Sequence, residues 1–147
     1  MGDKRNIVIF DIDGVLCNAE HRVHFVHEKD WTSFYEACDK DEPIEANVTM
    51  LNLMLANPDV VVMFFTGRTE SVRSKTNIWL TNHASVSGHT LLMRKDGDYR
   101  PDYVVKKEMA DSVGTDNILC VFEDRDQVVK MWRDNGVQCY QTCEGTY

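Results

Sequence analysis

A chain of 147 residues, 43% hydrophobic and 27% charged, has the size and balance of one soluble domain around a single core. Its net charge of -8 excludes a broad surface for coating nucleic acid, which needs many cations to displace counterions from phosphates, but leaves room for a small basic pocket. No apolar run approaches the roughly 20 residues that cross a bilayer, and the charged start MGDKRN does not resemble a signal peptide, so a cytoplasmic protein with no membrane partner is expected.

Four or five short β-branched runs alternate with stretches of helical period, the pattern of a parallel sheet covered by helices. The first run goes from Ile7 to Ile12 and carries acids at its end. The segment from Val15 to about Pro58 exceeds what one crossover needs. It holds a flap (CNAEHRVHFV), a short helix begun by Asp30 (DWTSFYEAC) and a longer helix (IEANVTMLNLMLAN). That is too little for a large independent lid, so the carboxyl ends of the strands should stay open, where doubly wound sheets bind ligands. A second run from Val60 to Phe65 leads through TGR to a helix with Val72, Thr76, Trp79 and Leu80 on one face. After a run from Thr90 to Met93, PDYVVKKE opens a helix with Val105, Met109 and Val113 on one face. The run from Ile118 to Phe122 precedes DQVVKMWRDNG, where Val128, Val129 and Trp132 share a face and Asn135-Gly136 supplies the stop. A last run goes from Val137 to Thr142, and no repeat or low-complexity linker occurs. The chain reads as one domain over 1–147 with a small flap or cap insertion at about 15–58. Cys17, Cys38, Cys120, Cys139 and Cys143 form no CxxC pair and read as packing residues in a reducing compartment.

Burying even one carboxylate is costly, so the acids that end the first run call for a reason. Residues two apart in a strand point the same way, so Asp11 and Asp13 can face one small volume. Two such charges are tolerable if a cation sits between them or if one holds a proton. Oxygen ligands at a strand end favour Mg²⁺, and a carboxylate can also act as nucleophile with a neighbour as proton donor and acceptor. By itself DxDG reads equally well as a surface turn. The other strand ends break that tie. Thr66-Gly67-Arg68 offers a hydroxyl, a flexible backbone amide and a guanidinium just before a helix, an anion site. Glu123-Asp124-Arg125 again puts acids where a strand stops, and Lys106 near a helix start can lie beside them. Four element ends delivering an acid pair, an anion cradle, a lysine and a second acid pair make a constellation.

This constellation resembles the haloacid-dehalogenase (HAD) superfamily of aspartyl phosphatases and, more narrowly, the 3′-phosphatase domain of bacteriophage polynucleotide kinase-phosphatase. The resemblance rests on DIDGVL with Arg22 downstream, FTGR, RKDGDYRPDYVVKKE and FEDRDQVVKMWRDNGVQCYQ, and covers nearly the whole chain. It implies a three-layer Rossmann-like α/β fold with a central parallel sheet, and Mg²⁺ as cofactor. By the same resemblance Asp11 is the nucleophile that forms an aspartyl-phosphate, and Asp13 protonates the leaving oxygen and later activates water. Thr66 becomes a phosphate ligand through its hydroxyl, and Lys106 balances the charge of Asp11 and phosphate. Asp124 holds Mg²⁺ with the Asp11 carboxylate and the Asp13 backbone carbonyl, and Glu123 stands beside it. The narrower family adds Arg22, Arg68 and Asp102 to the working site, with Arg94 a further candidate. Val15 stands where the superfamily commonly has Thr, and Glu123 where the family often has Asp, a longer arm that shifts the metal geometry or binds through water. No GxxxxGK[ST] occurs, so the kinase half of such a bifunctional enzyme is not in this sequence.

The resemblance implies removal of a 3′-phosphate from nucleic-acid ends or nucleotides, with a polynucleotide kinase or ligase as a partner in the same pathway. Gripping a terminus needs few phosphate contacts, which Arg22, Arg68, Arg73, Lys75, Arg94 and Arg100 can provide. The rivals are a small-molecule phosphatase such as a deoxynucleotidase and, in another class, a non-catalytic module that binds nucleic-acid ends. A phosphate-transferring mutase or a dehalogenase belongs to the same superfamily, and the second aspartate speaks against the dehalogenase. His21, His24 and His27 recur at a spacing that fits neither one strand face nor, closely, a helix, and read as flap or surface residues. Trp31, Phe34 and Tyr35 read as packing ahead of base stacking. The run KDEPIE reads as a solvated helix entry.

Overall fold

An apolar run without polar interruption is accommodated where both faces of a sheet are covered, and IVIF takes that place. In the computed structural model, which describes residues 5–146, β1 (Ile7–Phe10) lies in the middle of a five-stranded sheet and is buried along its whole length. Met1 to Lys4 of the charged start, and Tyr147, lie outside the described residues. With β4 (Val61–Thr69), β5 (Thr90–Arg94), β6 (Ile118–Glu123) and β7 (Cys139–Gln141), the order is β5-β4-β1-β6-β7 and every pairing is parallel.

Alternate residues of β1 part to opposite faces. Val8 and Phe10 join one core with Val48 and Leu51 of α3 (Glu45–Leu55) and Trp79 and Leu80 of α4 (Arg73–Ala84). Ile7 and Ile9 join the other with Val105 and Met109 of α5 (Asp102–Val113) and Val128 and Trp132 of α6 (Asp126–Asp134). This is the expected three-layer α/β fold. The chain builds outward from β1 to β4 and β5, then returns to β6 and β7 on the other side. Such a reversal opens a crevice at the carboxyl ends of β1 and β6.

Between β1 and α3, β2 (Cys17–Asn18) pairs antiparallel with β3 (Glu42–Pro43), and α1 (Val23–His27) and α2 (Trp31–Glu36) fill the excursion. Asp30 starts α2 as expected, its carboxylate accepting from the Ser33 amide at 3.0 Å. Because α3 packs into the core, the part standing off the sheet spans 17–43. It is tied down by Lys75 on the Glu36 carboxylate at 2.7 Å and by the Trp79 indole N–H on the Asp41 carbonyl at 2.8 Å.

Three strand boundaries differ from the sequence reading by two residues or more. β1 stops at Phe10, because the Ile12 carbonyl accepts from the amides of Val15, Leu16 and Cys17 and turns the chain, with Gly14 at φ 76°. β4 runs on through Thr69 past an irregularity in its pairing with β5, so Thr66-Gly67-Arg68 belongs to the strand instead of following its end at Phe65. β7 begins only at Cys139, with Val137 packed before it. Among the described residues all five cysteines are free. Cys38, Cys120 and Cys139 pack as expected, and burial pushes the Cys139 thiol up to about 12. Cys143 is exposed. No helix among the described residues is long and apolar enough to cross a membrane.

Candidate active site

The crevice predicted by the topology is where the acids collect. The Asp11 amide donates to the Phe122 carbonyl at 3.1 Å, which locks the first residue after β1 against the end of β6. Asp11, Glu123 and Asp124 are all buried and bring one carboxylate oxygen each to within 4.8 Å of one another. Lys106, 1% exposed on α5, reaches into this group, 2.7 Å from Glu123, 3.1 Å from Asp11 and 3.4 Å from Asp102. Burial, and then the charge of Glu123, raise the Asp11 carboxyl well above the usual range against the pull of Lys106. At Glu123 burial acts the same way, but Lys106 and the hydrogen bonds it receives leave it below that range. Burial disfavours the Lys106 ammonium, and Asp102, Asp11 and Glu123 more than restore it.

The cluster is short of positive charge and offers only oxygen, the donor set of a hard divalent cation such as Mg²⁺. Asp11 and Asp124 fit as its ligands. Glu123 is engaged otherwise: one oxygen takes Lys106, the other accepts from the Asp124 amide at 3.1 Å and the Arg125 amide at 3.4 Å.

Asp13 is not one of that group and belongs to a second, closed ring of charges. Arg22 Nη2 lies 2.5 Å from Asp13 and 2.6 Å from Asp41, and Arg68 Nη2 lies 2.8 Å from Asp13 and 3.0 Å from the same Asp41 oxygen. Both guanidiniums are fully buried, whereas the Asp13 side chain keeps 28% of its surface open to solvent. Burial works against the Asp13 charge, yet Arg68 and Arg22 hold its carboxyl well below the usual range. Every arm of the two arginines is used. Arg22 Nη1 donates to the Phe34 carbonyl and its guanidinium sits 4.5 Å over the Phe34 ring, while Arg68 Nη1 donates to Thr76 at 3.1 Å.

Asp41 is the member that the sequence did not reveal. Placed in KDEPIE as a solvated helix entry, it is in fact 2% exposed, and both its oxygens are saturated. Besides the arginines it takes His21 Nε2 at 2.6 Å and the Cys17 thiol at 3.1 Å. Cys17 is therefore more than packing, and His21 touches the site through Asp41. An acid inside a polar run carries no periodic signal.

The end of β4 completes the crevice floor. Thr66 is buried, and its hydroxyl oxygen accepts from the Arg68 amide at 3.1 Å, leaving the hydroxyl proton to donate elsewhere. The Gly67 carbonyl accepts from Arg94 Nε at 3.0 Å and from the Tyr35 hydroxyl at 3.4 Å. Arg94 also braces the Asp98 and Arg100 carbonyls and lies 3.2 Å from Asp102. Expected as a substrate contact, Arg94 is a strut here. Arg100 is not brought to the site: its half-exposed guanidinium pairs with Asp98 and Glu108, and only its carbonyl reaches Arg94.

Gly67 leaves room for the Asp102 carboxylate. A Cβ there would lie 2.5 Å from Asp102 Oδ1. Gly67→Ala is expected to push Asp102 off Arg94 and Lys106 and to cut turnover about 10²-fold, as displacement of about 1 Å at a site does. Steady-state kinetics beside circular dichroism checks this, and an intact rate refutes it.

The model of the family described as the polynucleotide kinase PNKP phosphatase domain matches residues 5–147. The chain belongs to this family. A putative bifunctional polynucleotide kinase/RNA ligase of Autographa californica nuclear polyhedrosis virus is 29% identical over 140 residues, covering 91% of this chain and 19% of that protein. Among solved structures, a chain of the Pnkp1/Rnl/Hen1 RNA repair complex superposes with a TM-score of 0.85 at 25% identity, over 100% of this chain and 45% of that one. A second structure of the Pnkp1/Rnl/Hen1 complex gives 0.81 at 26% identity, over 100% and 49%. The chain thus spans less than half the length of each of these relatives. Membership in the PNKP phosphatase-domain family agrees with the HAD resemblance read from DIDGVL, FTGR and the EDR turn.

Proposed function

We propose that the chain is a Mg²⁺-dependent phosphomonoesterase that removes 3′-phosphate from nucleic-acid ends through an aspartyl-phosphate. The observation that carries this reading is the buried Asp11 carboxylate beside one ammonium and two further acids at the mouth of the β1/β6 crevice. In the proposed reaction an Asp11 oxygen bonds to phosphorus as the bond from phosphorus to O3′ breaks, and Asp13 gives its proton to O3′. Water then attacks phosphorus and yields a proton to Asp13, and the bond to Asp11 breaks. Lys106 and the Thr66 hydroxyl hold the phosphoryl oxygens, and Asp102 keeps Lys106 and Arg94 aligned. Asp11, Asp124 and the Asp13 carbonyl, with Glu123 alongside, would hold Mg²⁺, which would supply positive charge to a transition state that asks mainly for alignment and charge neutralisation. In the resting protein Asp13 is held as an anion, ready to take the proton from water. For the first step Asp13 takes a proton from solvent, which its partly exposed side chain can reach, as the incoming phosphate adds negative charge beside it. The free thiols fit a reducing compartment, the cytoplasm. Kinase and ligase activities named for the relatives are proposed as partners in the same repair pathway.

Matched oligonucleotides bearing either a 3′- or a 5′-phosphate, with Mg²⁺ or chelator, give the test. Phosphate release from the 3′ end alone, dependent on Mg²⁺, is expected, with a logarithmic salt slope of about one to three charges. Release only from the 5′ end, or preference for mononucleotides, contradicts the substrate assignment. Binding of ends without any release contradicts the catalytic one.

A further inference from the structure

The segment after β7 does more than end the sheet. Gln141 pairs with Glu123 in the ladder and spends both protons of its side-chain amide on the loop beyond, on the Asp124 carbonyl at 3.0 Å and the Asp126 carboxylate at 2.6 Å. The Thr142 amide donates to the Glu123 carbonyl at 2.9 Å, and the Asp126 amide donates to the Gly145 carbonyl at 2.7 Å. On its other side the same segment holds Gly14, whose carbonyl accepts from the Thr142 hydroxyl at 3.3 Å and from the Cys143 thiol at 3.8 Å. Residues 141–145 therefore join the turn that follows Asp11 and Asp13 to the loop that carries Glu123 and Asp124. These are the two backbone stretches between which the proposed Mg²⁺ ligands converge.

We propose that residues 141–145 form a strap that sets the spacing of these two loops, with Gln141 and Gly145 as positioning residues for the divalent cation. The proposal rests on the metal reading of Asp11 and Asp124 given above. Gly145 is buried, and a Cβ there would drive into the Asp124 carbonyl, with the Asp124 carbonyl carbon at 2.7 Å and Arg125 Cα at 2.8 Å. Backbone atoms cannot yield as a side-chain tip does, so no larger residue fits while the strap is docked. Gly145→Ala thus undocks the strap without touching a ligand, and Gln141→Ala removes the amide bridge alone.

Groups that orient metal ligands are worth about 10- to 100-fold in affinity when removed. Calorimetric titration of the metal-free protein with Mg²⁺ should show binding at least about tenfold weaker for Gly145→Ala and Gln141→Ala, and unchanged for the exposed Glu144→Ala. Hydrogen exchange of the Asp126 amide, whose acceptor is the Gly145 carbonyl, should quicken in Gly145→Ala. If Gly145→Ala does not fold, Gln141→Ala at the exposed end of the strap decides alone. Wild-type affinity in the folded variants overturns the strap. Absence of any wild-type Mg²⁺ binding that Asp124→Asn abolishes overturns the metal reading instead, and the strap with it.

Discussion

Asp11→Asn is expected to lower phosphate release from a 3′-phosphorylated oligonucleotide by at least about 10⁴-fold, since loss of a covalent nucleophile removes the reaction path itself. The amide keeps the shape of the carboxylate and cannot form the acyl-phosphate bond. The fold should not suffer, because Lys106 keeps Glu123 at 2.7 Å and Asp102 at 3.4 Å. Stability should respond in the opposite direction to activity. The folded-state value of Asp11 is raised by burial and by Glu123, so its protonated form is the one the metal-free fold prefers. That contribution is full below the ordinary carboxylate range and is lost as pH rises through the raised value. In chelator, Asp11→Asn should therefore melt at or above the wild type at neutral pH, with the gap closing on acidification. Undiminished turnover, or a variant that melts lower at neutral pH, defeats this assignment.

Asp41→Asn carries the largest expected stability loss. It leaves two buried guanidiniums with Asp13 as their one acid among the partners given above, and breaking a buried ion pair on one side costs about 3–5 kcal/mol. For a domain of this length that corresponds to a melting temperature lower by about 10 °C. Because Arg22 and Arg68 hold Asp13 and are themselves held by Asp41, turnover should also fall, by about 10²-fold, with KM little changed. A calorimetric scan and initial-rate kinetics read both effects. A wild-type melting point would show that Asp41 is replaceable, and a wild-type rate would show that Asp13 needs no support from behind.

The sequence was legible where one requirement wrote a repeating signal. IVIF, VVVMFF and ILCVF are apolar because both faces of the sheet are covered, so the strands, and the acids where they stop, stand out. Lys106 was readable because the helix that carries it starts next to the acids. The signal failed where a residue's role depends on chain segments that meet only in three dimensions. The apolar run stops at Phe65, so Thr66-Gly67-Arg68 read as the link to the next helix, yet pairing with β5 keeps the strand extended as far as Thr69. Asp41 was hidden because its partners Arg22, Arg68, Cys17 and His21 come from other elements. Arg100 suggested an anion contact on charge alone, and Asp98 and Glu108 claim it outside the site.

β1 is the first strand made and the central one, yet Ile7 pairs with Ile118 of β6 as well as with Val61 of β4. Pairings so distant in sequence are slow to close. A growing polypeptide that has emerged only as far as β5 carries Asp11 without Lys106, Glu123 and Asp124, and on the proposed mechanism it would be silent toward phosphate esters. On the proposed mechanism competence arrives only once α5 and β6 have been made, so hydrolysis would report closure of the β1/β6 crevice.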